Sequence, residues 1–264
     1  MLNGSTRLVG LIGDPVAHSL SPRMQNAAFA ARGLDWTYVP LHVQAAGLEE
    51  AVRGLPDLGF AGANVTVPHK TAVIPFCDEL DEVAERAGSV NTIVVEDGRL
   101  LASSTDGLAV ASAVEPGGAR VLMLGAGGAA QAVAVELADA GAASIAVAAR
   151  REEGAARLVD FLQALGLAAE PAAWPPDASG ATLLVNATPI RDEVLVDLTA
   201  KPAVVDLAYR ADGTDTALIA AARAAGCDPV VDGLEILVRQ GAASFERWTG
   251  LEAPIDVMRA AVRQ

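Results

Sequence analysis

Short runs of apolar residues alternate along the chain with longer, Ala-rich stretches in which apolar positions recur at helical spacing. Uninterrupted apolar runs of about four to eight residues are typical of covered strands, and recurrence every three or four residues is typical of amphipathic helices. This alternation predicts an α/β fold built on parallel sheets. The predicted strands cover residues 8–12, 37–41, 62–65, 92–96, 120–124, 144–148, 183–186, 203–206 and 229–231. The predicted helices cover residues 22–32, 46–55, 81–87, 107–113, 128–140, 153–165, 214–225 and 234–249.

The segment RVLMLGAGGAA, residues 120–130, predicts a strand, a tight turn and the start of a helix. It fits the GxGxxG/A pattern of dinucleotide-binding units. Gly125 permits the turn, and Gly127 lets the backbone approach a pyrophosphate at the helix N-terminus. A small residue, Ala130, allows the helix to lie close to the strand. A strand at 144–148 follows, so we predict a Rossmann-type unit.

The residues after that second strand bear on the choice of nicotinamide cofactor. An acidic residue there would bind the ribose hydroxyls of NAD, whereas arginine suits the additional phosphate of NADP. The chain has Arg150 and Arg151 at this point, which favours NADP. Glu152 and Glu153 follow directly and keep NAD possible.

A domain boundary is predicted near residues 106 and 107, because the preceding strands suffice for one sheet and a glycine-rich unit follows. We expect a substrate-binding and catalytic domain of residues 1–106, completed by 238–264. A Rossmann-type dinucleotide-binding domain is expected at 107–237. The C-terminal helices should pack back on the first domain.

Charge, cysteine content and histidine spacing exclude several classes of function and location. The chain has 19 Lys plus Arg and 33 Asp plus Glu, a net charge of −14. Such a charge repels nucleic acid and anionic membranes, so a small-molecule substrate is expected. The two cysteines form no CxxC pair, the three histidines lack metal-ligand spacing, and neither a signal-peptide pattern nor a membrane-spanning run is present. We therefore expect a cytoplasmic protein without a metal site.

Two polar motifs in the first hundred residues are candidates for catalysis. In HSLSP, Ser21 is predicted to cap a helix that starts at Pro22, although Ser19 and Ser21 could equally bind a carboxylate. In NVTVPHK, Thr66 and Lys70 follow an apolar strand, where open α/β sheets bind ligands. Lys70 alone would be interpreted as a solvated surface residue, but the polar strings GSVNT and STDG come next in the chain.

Together these motifs resemble the shikimate dehydrogenase family. The matching strings, in the family's order across nearly the whole chain, are HSLSP, NVTVPHK, GSVNT, STDG, GAGGAA, NATP, DLAY and DGLEILVRQGAASFERWTG. The resemblance implies reversible, NADPH-dependent reduction of 3-dehydroshikimate to shikimate, a step of aromatic amino acid and chorismate biosynthesis. It also implies a monomer or homodimer.

The resemblance further implies a role for individual residues. Lys70 and Asp106 would form the acid–base pair. Substrate would be bound by Ser19, Ser21, Thr66, Asn91, Thr105, Tyr209 and Gln240. Cofactor would be bound by Gly125, Ala126, Gly127, Gly128, Ala129, Arg150, Arg151, Thr188, Leu207 and Gly233.

Four departures from the family's pattern leave alternatives open. Gln25 stands where most members have histidine, Ser103-Ser104 precedes Thr-Asp, Ala149 leads into the two arginines, and Ile190-Arg191 replaces Gly-Met. Gln25 and Glu152 motivate a quinate/shikimate dehydrogenase that uses NAD. The changed loop before Asp106 motivates a non-catalytic dinucleotide-binding regulator.

Overall fold

The computed structural model describes residues 2–264. The chain divides into two compact units. Unit 1 joins the chain up to Thr105 to Leu237–Gln264, and unit 2 is Asp106–Ile236.

Unit 1 contains a six-stranded mixed sheet in the order β2-β1-β3-β5-β6-β4. Strands β1, β2 and β3 are parallel, β5 is antiparallel to both β3 and β6, and β4 is parallel to β6. The last helix, α9, packs against α1. The strands are β1 (Arg7–Gly13), β2 (Trp36–His42), β3 (Phe60–Val65), β4 (Glu79–Leu80), β5 (Thr92–Glu96) and β6 (Arg99–Ser103). The helices are α1 (Ser21–Ala31), α2 (Leu48–Arg53), α3 (Glu82–Ala87) and α9 (Ile255–Val262).

Unit 2 contains a six-stranded sheet in the order β12-β11-β10-β7-β8-β9, and every pair in it is parallel. The strands are β7 (Arg120–Leu124), β8 (Ser144–Ala148), β9 (Ala169–Pro171), β10 (Leu183–Asn186), β11 (Ala203–Asp206) and β12 (Val230–Val231). The helices are α4 (Asp106–Ala111), α5 (Gly128–Asp139), α6 (Glu152–Ala164) and α7 (Ala217–Ala225). Helix α8 (Gly233–Thr249) starts in unit 2 and ends in unit 1.

The side chains of β7 show why the strands of unit 2 are uninterrupted apolar runs. Val121 and Met123 belong to a core cluster that includes residues of α5 and α6, whereas Leu122 and Leu124 belong to a second cluster that includes residues of α7. Successive side chains of a strand point to opposite faces. Both faces of the sheet are therefore covered, and each of these four positions must be apolar.

The predicted α/β fold class is confirmed, and each predicted strand and helix is present. Strands β5, β7, β8, β10 and β11 have the predicted ends, whereas the ends of the other predicted elements are shifted. The prediction of parallel sheets is wrong for part of unit 1. Asp97 and Gly98, at φ 49° and 76°, form a tight turn that brings β6 back antiparallel to β5. An Asp-Gly pair between apolar runs is a hairpin signal, so the sequence carried this information.

Three strands and one α-helix were not predicted: β4, β6, β9 and α9. Strands β4 and β9 contain two and three residues and lie at the sheet edges, so no apolar run marks them. Within residues 2–264, no helix has the length and apolarity needed to cross a bilayer.

Candidate functional site

The segment before α1 places two serine hydroxyls at a helix N-terminus. The prediction that Ser21 caps this helix is wrong, because Ser21 is its first residue and the N-cap position, Leu20, makes no side-chain cap. Instead, the backbone N–H of Ser21 donates to Oγ of Ser19 at 3.2 Å. The two serines therefore lie together, with Ser21 buried and Ser19 half-buried.

A buried polar cluster in unit 1 joins Asn91, Thr105 and Gln240. Asn91 Oδ1 accepts from Thr105 N at 2.9 Å and from Thr105 Oγ1 at 3.2 Å. Asn91 Nδ2 donates to Thr105 Oγ1 at 2.9 Å and to Gln240 Oε1 at 3.4 Å. The start of β5, the end of β6 and α8 thus bring together three residues that the sequence predicted to bind substrate. We call them the polar cluster.

A second group of buried residues forms hydrogen bonds next to the polar cluster and contacts it through Asn91. Asn64 Nδ2 donates to the Asn91 carbonyl at 2.9 Å and to Ser244 Oγ at 3.0 Å. Asn64 Oδ1 accepts from the Tyr38 hydroxyl at 2.8 Å, and Thr92 Oγ1 lies 2.8 Å from Ser244 Oγ. We call Tyr38, Asn64, Thr92 and Ser244 the Asn64 network. None of the four was predicted as a site residue, although Ser244 lies one helical turn after Gln240 on α8 and therefore shares its face.

Thr66 and Lys70 lie on the loop that follows β3, and both are half-buried. Thr66 N donates to the Ile12 carbonyl at 2.8 Å, and the Lys70 carbonyl accepts from Val90 N at 2.8 Å. Between them, the buried His69 ring lies 2.6 Å through Nε2 from the Val43 carbonyl. These backbone and ring contacts fix the loop, so Thr66 and Lys70 have defined positions in unit 1.

Asp106 is buried and is the first residue of α4 in unit 2. The next residue, Gly107, packs against α5: a Cβ at Gly107 would lie 2.6 Å from both the Ala132 carbonyl oxygen and Glu136 Cβ. Only glycine fits without movement of one helix. Asp106 is thereby held at a fixed position relative to α5.

The glycine-rich turn between β7 and α5 has room for a ligand. Gly125 has φ 106°, and a Cβ there would lie 3.0 Å from the Ala187 carbonyl, so the turn itself requires this glycine. Gly127 has an ordinary φ of −90°, and no protein atom lies within 4 Å of a Cβ placed on it. Neither conformation nor packing explains Gly127, and α5 has no side-chain cap. Exposed N–H groups and the helix dipole therefore fit an approaching pyrophosphate.

Arg150 and Arg151 follow β8, and both are exposed. Neither guanidinium forms an ion pair with any other part of the chain that the structure describes. Glu152 and Glu153 lie in the first turn of α6, where carboxylates stabilise the helix through its dipole. Their position has a structural explanation, which leaves the two arginines available for a phosphate.

The loops after β10 and β11 carry the remaining predicted cofactor residues. Thr188 lies beside the Gly125 turn, since its Cγ2 would be 3.3 Å from a Cβ on Gly125. Leu207 lies beside Gly233: a Cβ on Gly233 would be 2.9 Å from the Leu207 carbonyl oxygen and 2.3 Å from that of Ala208. Packing alone therefore accounts for glycine at position 233. Tyr209 lies in the same loop and is half-buried.

A buried carboxylate, Asp206, lies between these two loops and was not predicted as a site residue. It accepts hydrogen bonds from Asn186, Ala208 and Thr216. Burial raises its pKa to about 6, against the lowering effects of these hydrogen bonds and of Arg191. The strings NATP and DLAY contained the signal, because each begins with a polar residue at the end of an apolar strand.

The two units hold different parts of the predicted site. Unit 1 holds Ser19, Ser21, Thr66, Lys70, Asn91, Thr105 and Gln240. Unit 2 holds Asp106, Tyr209 and the predicted cofactor residues Gly125, Ala126, Gly127, Gly128, Ala129, Arg150, Arg151, Thr188, Leu207 and Gly233. Residues 2–264 contain no group of three or more His, Cys, Asp or Glu side chains that could hold a metal ion.

Two family models match the sequence. Residues 11–93 match the shikimate dehydrogenase substrate binding domain, and residues 233–263 match the shikimate 5'-dehydrogenase C-terminal domain. A shikimate dehydrogenase (NADP(+)) from Moorella thermoacetica is 44% identical over 282 residues, which cover 100% of this chain and 95% of that protein.

Solved structures are similar over the same length. A crystal structure of a shikimate dehydrogenase in complex with NADP+ has a TM-score of 0.91 at 36% identity, covering 99% of this chain and 96% of that one. A quinate dehydrogenase from Corynebacterium glutamicum in complex with NAD has a TM-score of 0.84 at 30% identity, covering 97% and 98%.

Proposed function

The chain belongs to the shikimate dehydrogenase family, and on that premise we propose that it catalyses the reversible NADPH-dependent reduction of 3-dehydroshikimate to shikimate. It is an oxidoreductase that uses NADP. The observation that carries the choice of substrate is the polar cluster, in which amides and a hydroxyl converge in unit 1. Such groups both donate and accept hydrogen bonds, as recognition of a polyhydroxylated ring requires.

Substrate binding is assigned to unit 1. Ser19 and Ser21 lie at the N-terminus of α1, where hydroxyls and backbone N–H groups favour a carboxylate. Asn91, Thr105 and Gln240 bind ring hydroxyls, together with Thr66. The 3.4 Å contact between Asn91 Nδ2 and Gln240 Oε1 is the weakest of the cluster, so a substrate hydroxyl replaces it at the lowest cost. The family resemblance also assigns Tyr209, a residue of unit 2, to the substrate.

Proton transfer is assigned to Lys70 and Asp106. NADPH supplies the hydride that reaches the carbonyl carbon of 3-dehydroshikimate. Negative charge then develops on the carbonyl oxygen, where the Lys70 ammonium stabilises it and donates the proton. The family resemblance pairs Asp106 with this ammonium, and the packing of Gly107 on α5 fixes the position of Asp106 within unit 2. In the reverse direction Lys70 takes the hydroxyl proton of shikimate.

Cofactor binding is assigned to unit 2. The turn 125–129 and the free N-terminus of α5 hold the pyrophosphate, and Gly127 leaves space for it. Arg150 and Arg151 bind the additional phosphate of NADP, because the two exposed guanidinium groups have no competing carboxylate partner among residues 2–264. Thr188, Leu207 and Gly233 border the cofactor on the side of β10 and β11.

A direct test is steady-state oxidation by the purified protein of shikimate and of quinate, each with NADP and with NAD. We expect the highest kcat/KM for shikimate with NADP. A higher kcat/KM for quinate with NAD would overturn the proposal, and binding of cofactor without turnover of either substrate would identify a regulator.

The second candidate is a quinate/shikimate dehydrogenase that uses NAD. The observation that favours it is Gln25, which is buried and donates through Nε2 to the Gly241 carbonyl at 2.8 Å, next to Gln240. The residue that departs from the family's usual histidine thus contacts the helix segment that carries a predicted substrate ligand. The same assay separates the two candidates.

Location and assembly are proposed on more general grounds. Cys77 and Cys227 are both free thiols, as is usual for proteins of a reducing cytoplasm. We expect a monomer or homodimer, to be determined by light scattering.

A further inference from the structure

Two loops of unit 2 that are proposed to border the cofactor are tied to a single buried side chain. We propose that Asp206 is a positioning residue for the dinucleotide: its carboxylate fixes the loops that carry Thr188 and Leu207. The inference rests on the proposed use of NADP. It assigns to Asp206 a function that its motif alone does not reveal.

The carboxylate accepts from three donors: one in its own loop, one at the end of β10 and one at the start of α7. Asn186 Nδ2 and Ala208 N each donate to Oδ1 at 2.9 Å, and Thr216 Oγ1 donates to Oδ2 at 2.5 Å. Asp206 is 0% exposed, so no solvent replaces these contacts if one is lost. An ionised carboxylate is an acceptor only and satisfies three donors at once.

Asn186 links Asp206 to the loop that contains Thr188 through hydrogen bonds to both. Asn186 and Asp206 are the last residues of β10 and β11 and are paired in register, so their side chains meet at the carboxyl edge of the sheet. With Nδ2 held by Asp206, Asn186 Oδ1 accepts from Thr188 N at 3.0 Å and from Thr188 Oγ1 at 2.7 Å. Asp206 therefore sets the amide orientation on which the position of Thr188 depends.

The backbone of Ala208 links the Asp206 carboxylate to the loop that contains Leu207. The Ala208 N–H is held by Asp206, and its carbonyl oxygen would lie only 2.3 Å from a Cβ on Gly233. The 207–208 backbone is thus held between a carboxylate and the first residue of α8. Thr216, the third donor, is the N-cap of α7 and anchors the far end of the same loop.

The position of these loops in the sheet indicates which half of the cofactor they meet. β10 and β11 lie on one side of β7, whereas β8, which precedes Arg150 and Arg151, lies on the other. The phosphate-binding arginines and the Asp206 loops are therefore on opposite sides of the glycine-rich turn. Asp206 should act on the nicotinamide half and not on the adenosine half.

Isothermal titration calorimetry at pH 8 tests this with NADP and with adenosine 2′,5′-bisphosphate, which lacks the nicotinamide half. We expect Asp206→Ala to weaken NADP binding about tenfold, the equivalent of one lost hydrogen bond, and to leave the fragment unchanged. Asp206→Asn keeps two acceptor contacts and reverses the third, so it should restore NADP affinity to within about threefold. Asn186→Ala removes the amide that holds Thr188 but keeps the Ala208 and Thr216 contacts of Asp206, and it should also weaken NADP binding selectively.

Leu162→Ala is the matched control, because Leu162 is a buried core residue of unit 2 on α6 and contributes stability alone. An equal loss of NADP affinity in Leu162→Ala would overturn the inference, as would unchanged NADP affinity in both Asp206→Ala and Asn186→Ala. If Asp206→Ala does not fold, Asn186→Ala decides the matter. Failure of the wild-type protein to bind NADP would instead contradict the proposed function, which keeps the two outcomes distinct.

Discussion

The polar cluster of unit 1 and the Asp206 network of unit 2 differ in the chemistry that holds them together. Both lie at strand ends, and both hydrogen-bond residues that are distant in sequence. In unit 1 the hydrogen bonds of the polar cluster and of the adjoining Asn64 network are made only by amide and hydroxyl groups. In unit 2 the central group is a carboxylate, which is harder to desolvate. We therefore expect pH to change the stability of the second network and to leave the first unchanged.

The largest effect is expected from a substitution that leaves both networks intact. Lys70→Ala should lower kcat by about 10²–10⁴-fold, because general acid–base help is lost, with a much smaller change in KM for shikimate. Stopped-flow or steady-state assays at saturating NADP measure this. Lys70→Arg is the control, since it keeps the charge but cannot exchange the proton. Near-normal turnover in Lys70→Ala would exclude Lys70 from the mechanism.

Removal of the central amide of unit 1 should have the next largest effect. Asn91→Ala leaves the Thr105 N–H and hydroxyl without their shared acceptor, and should lower the free energy of unfolding by about 3 kcal/mol. KM for shikimate should rise while KM for NADP stays constant. Urea titration and steady-state kinetics measure the two quantities. A parallel rise in both KM values would contradict the assignment of this cluster to substrate.

The pH dependence of stability distinguishes the two networks directly. Burial raises the pKa of Asp206 from 3.8 to about 6, so the stabilisation linked to its protonation is complete below pH 4 and is lost as pH rises through 6. The free energy of unfolding of the wild-type protein, minus that of Asp206→Asn, should fall by about 2 kcal/mol between pH 4 and 7. Above pH 7 this difference should stay constant.

Ser244→Ala supplies the comparison from unit 1, because Ser244 belongs to the Asn64 network, which contains no carboxylate. Its effect on the free energy of unfolding should be equal at pH 5 and pH 8. Urea titrations at both pH values measure this. A pH-dependent effect in Ser244→Ala, or none in Asp206→Asn, would remove the contrast between the units.

The smallest effect is expected at the surface of unit 2. Arg151→Gln should raise KM for NADP about tenfold and leave KM for NAD unchanged, because only NADP carries the additional phosphate. Arg157→Gln is a control of the same chemistry: Arg157 is also exposed on unit 2, but it lies within α6, 3.9 Å from Glu153. An equal rise for both cofactors in Arg151→Gln would assign this arginine to a group that NAD and NADP share.

Much of unit 2 could be predicted from the sequence because its signals are local. The strand, glycine turn and helix at 120–139 follow one another directly, and the positive φ of Gly125 is the conformation that the motif requires. The family prediction is confirmed by 44% identity over the full chain. The short edge strands of both units were less predictable, since β4 with two residues and β9 with three are too short to carry an apolar pattern.

The sequence by itself determined the fold class, the family and the residue types at the site, because strand and helix periodicity and short motifs act over a few neighbouring positions. Only the tertiary structure decided which of those residues touch. Asn64 and Ser244 are 180 positions apart, and Asn91 and Gln240 are 149 apart. Hydrogen bonds between such residues form only once sheets and helices have packed, so no local pattern announces them. The same holds for the contact between Asp206 and Asn186, which end two separate strands and meet only when the sheet has formed.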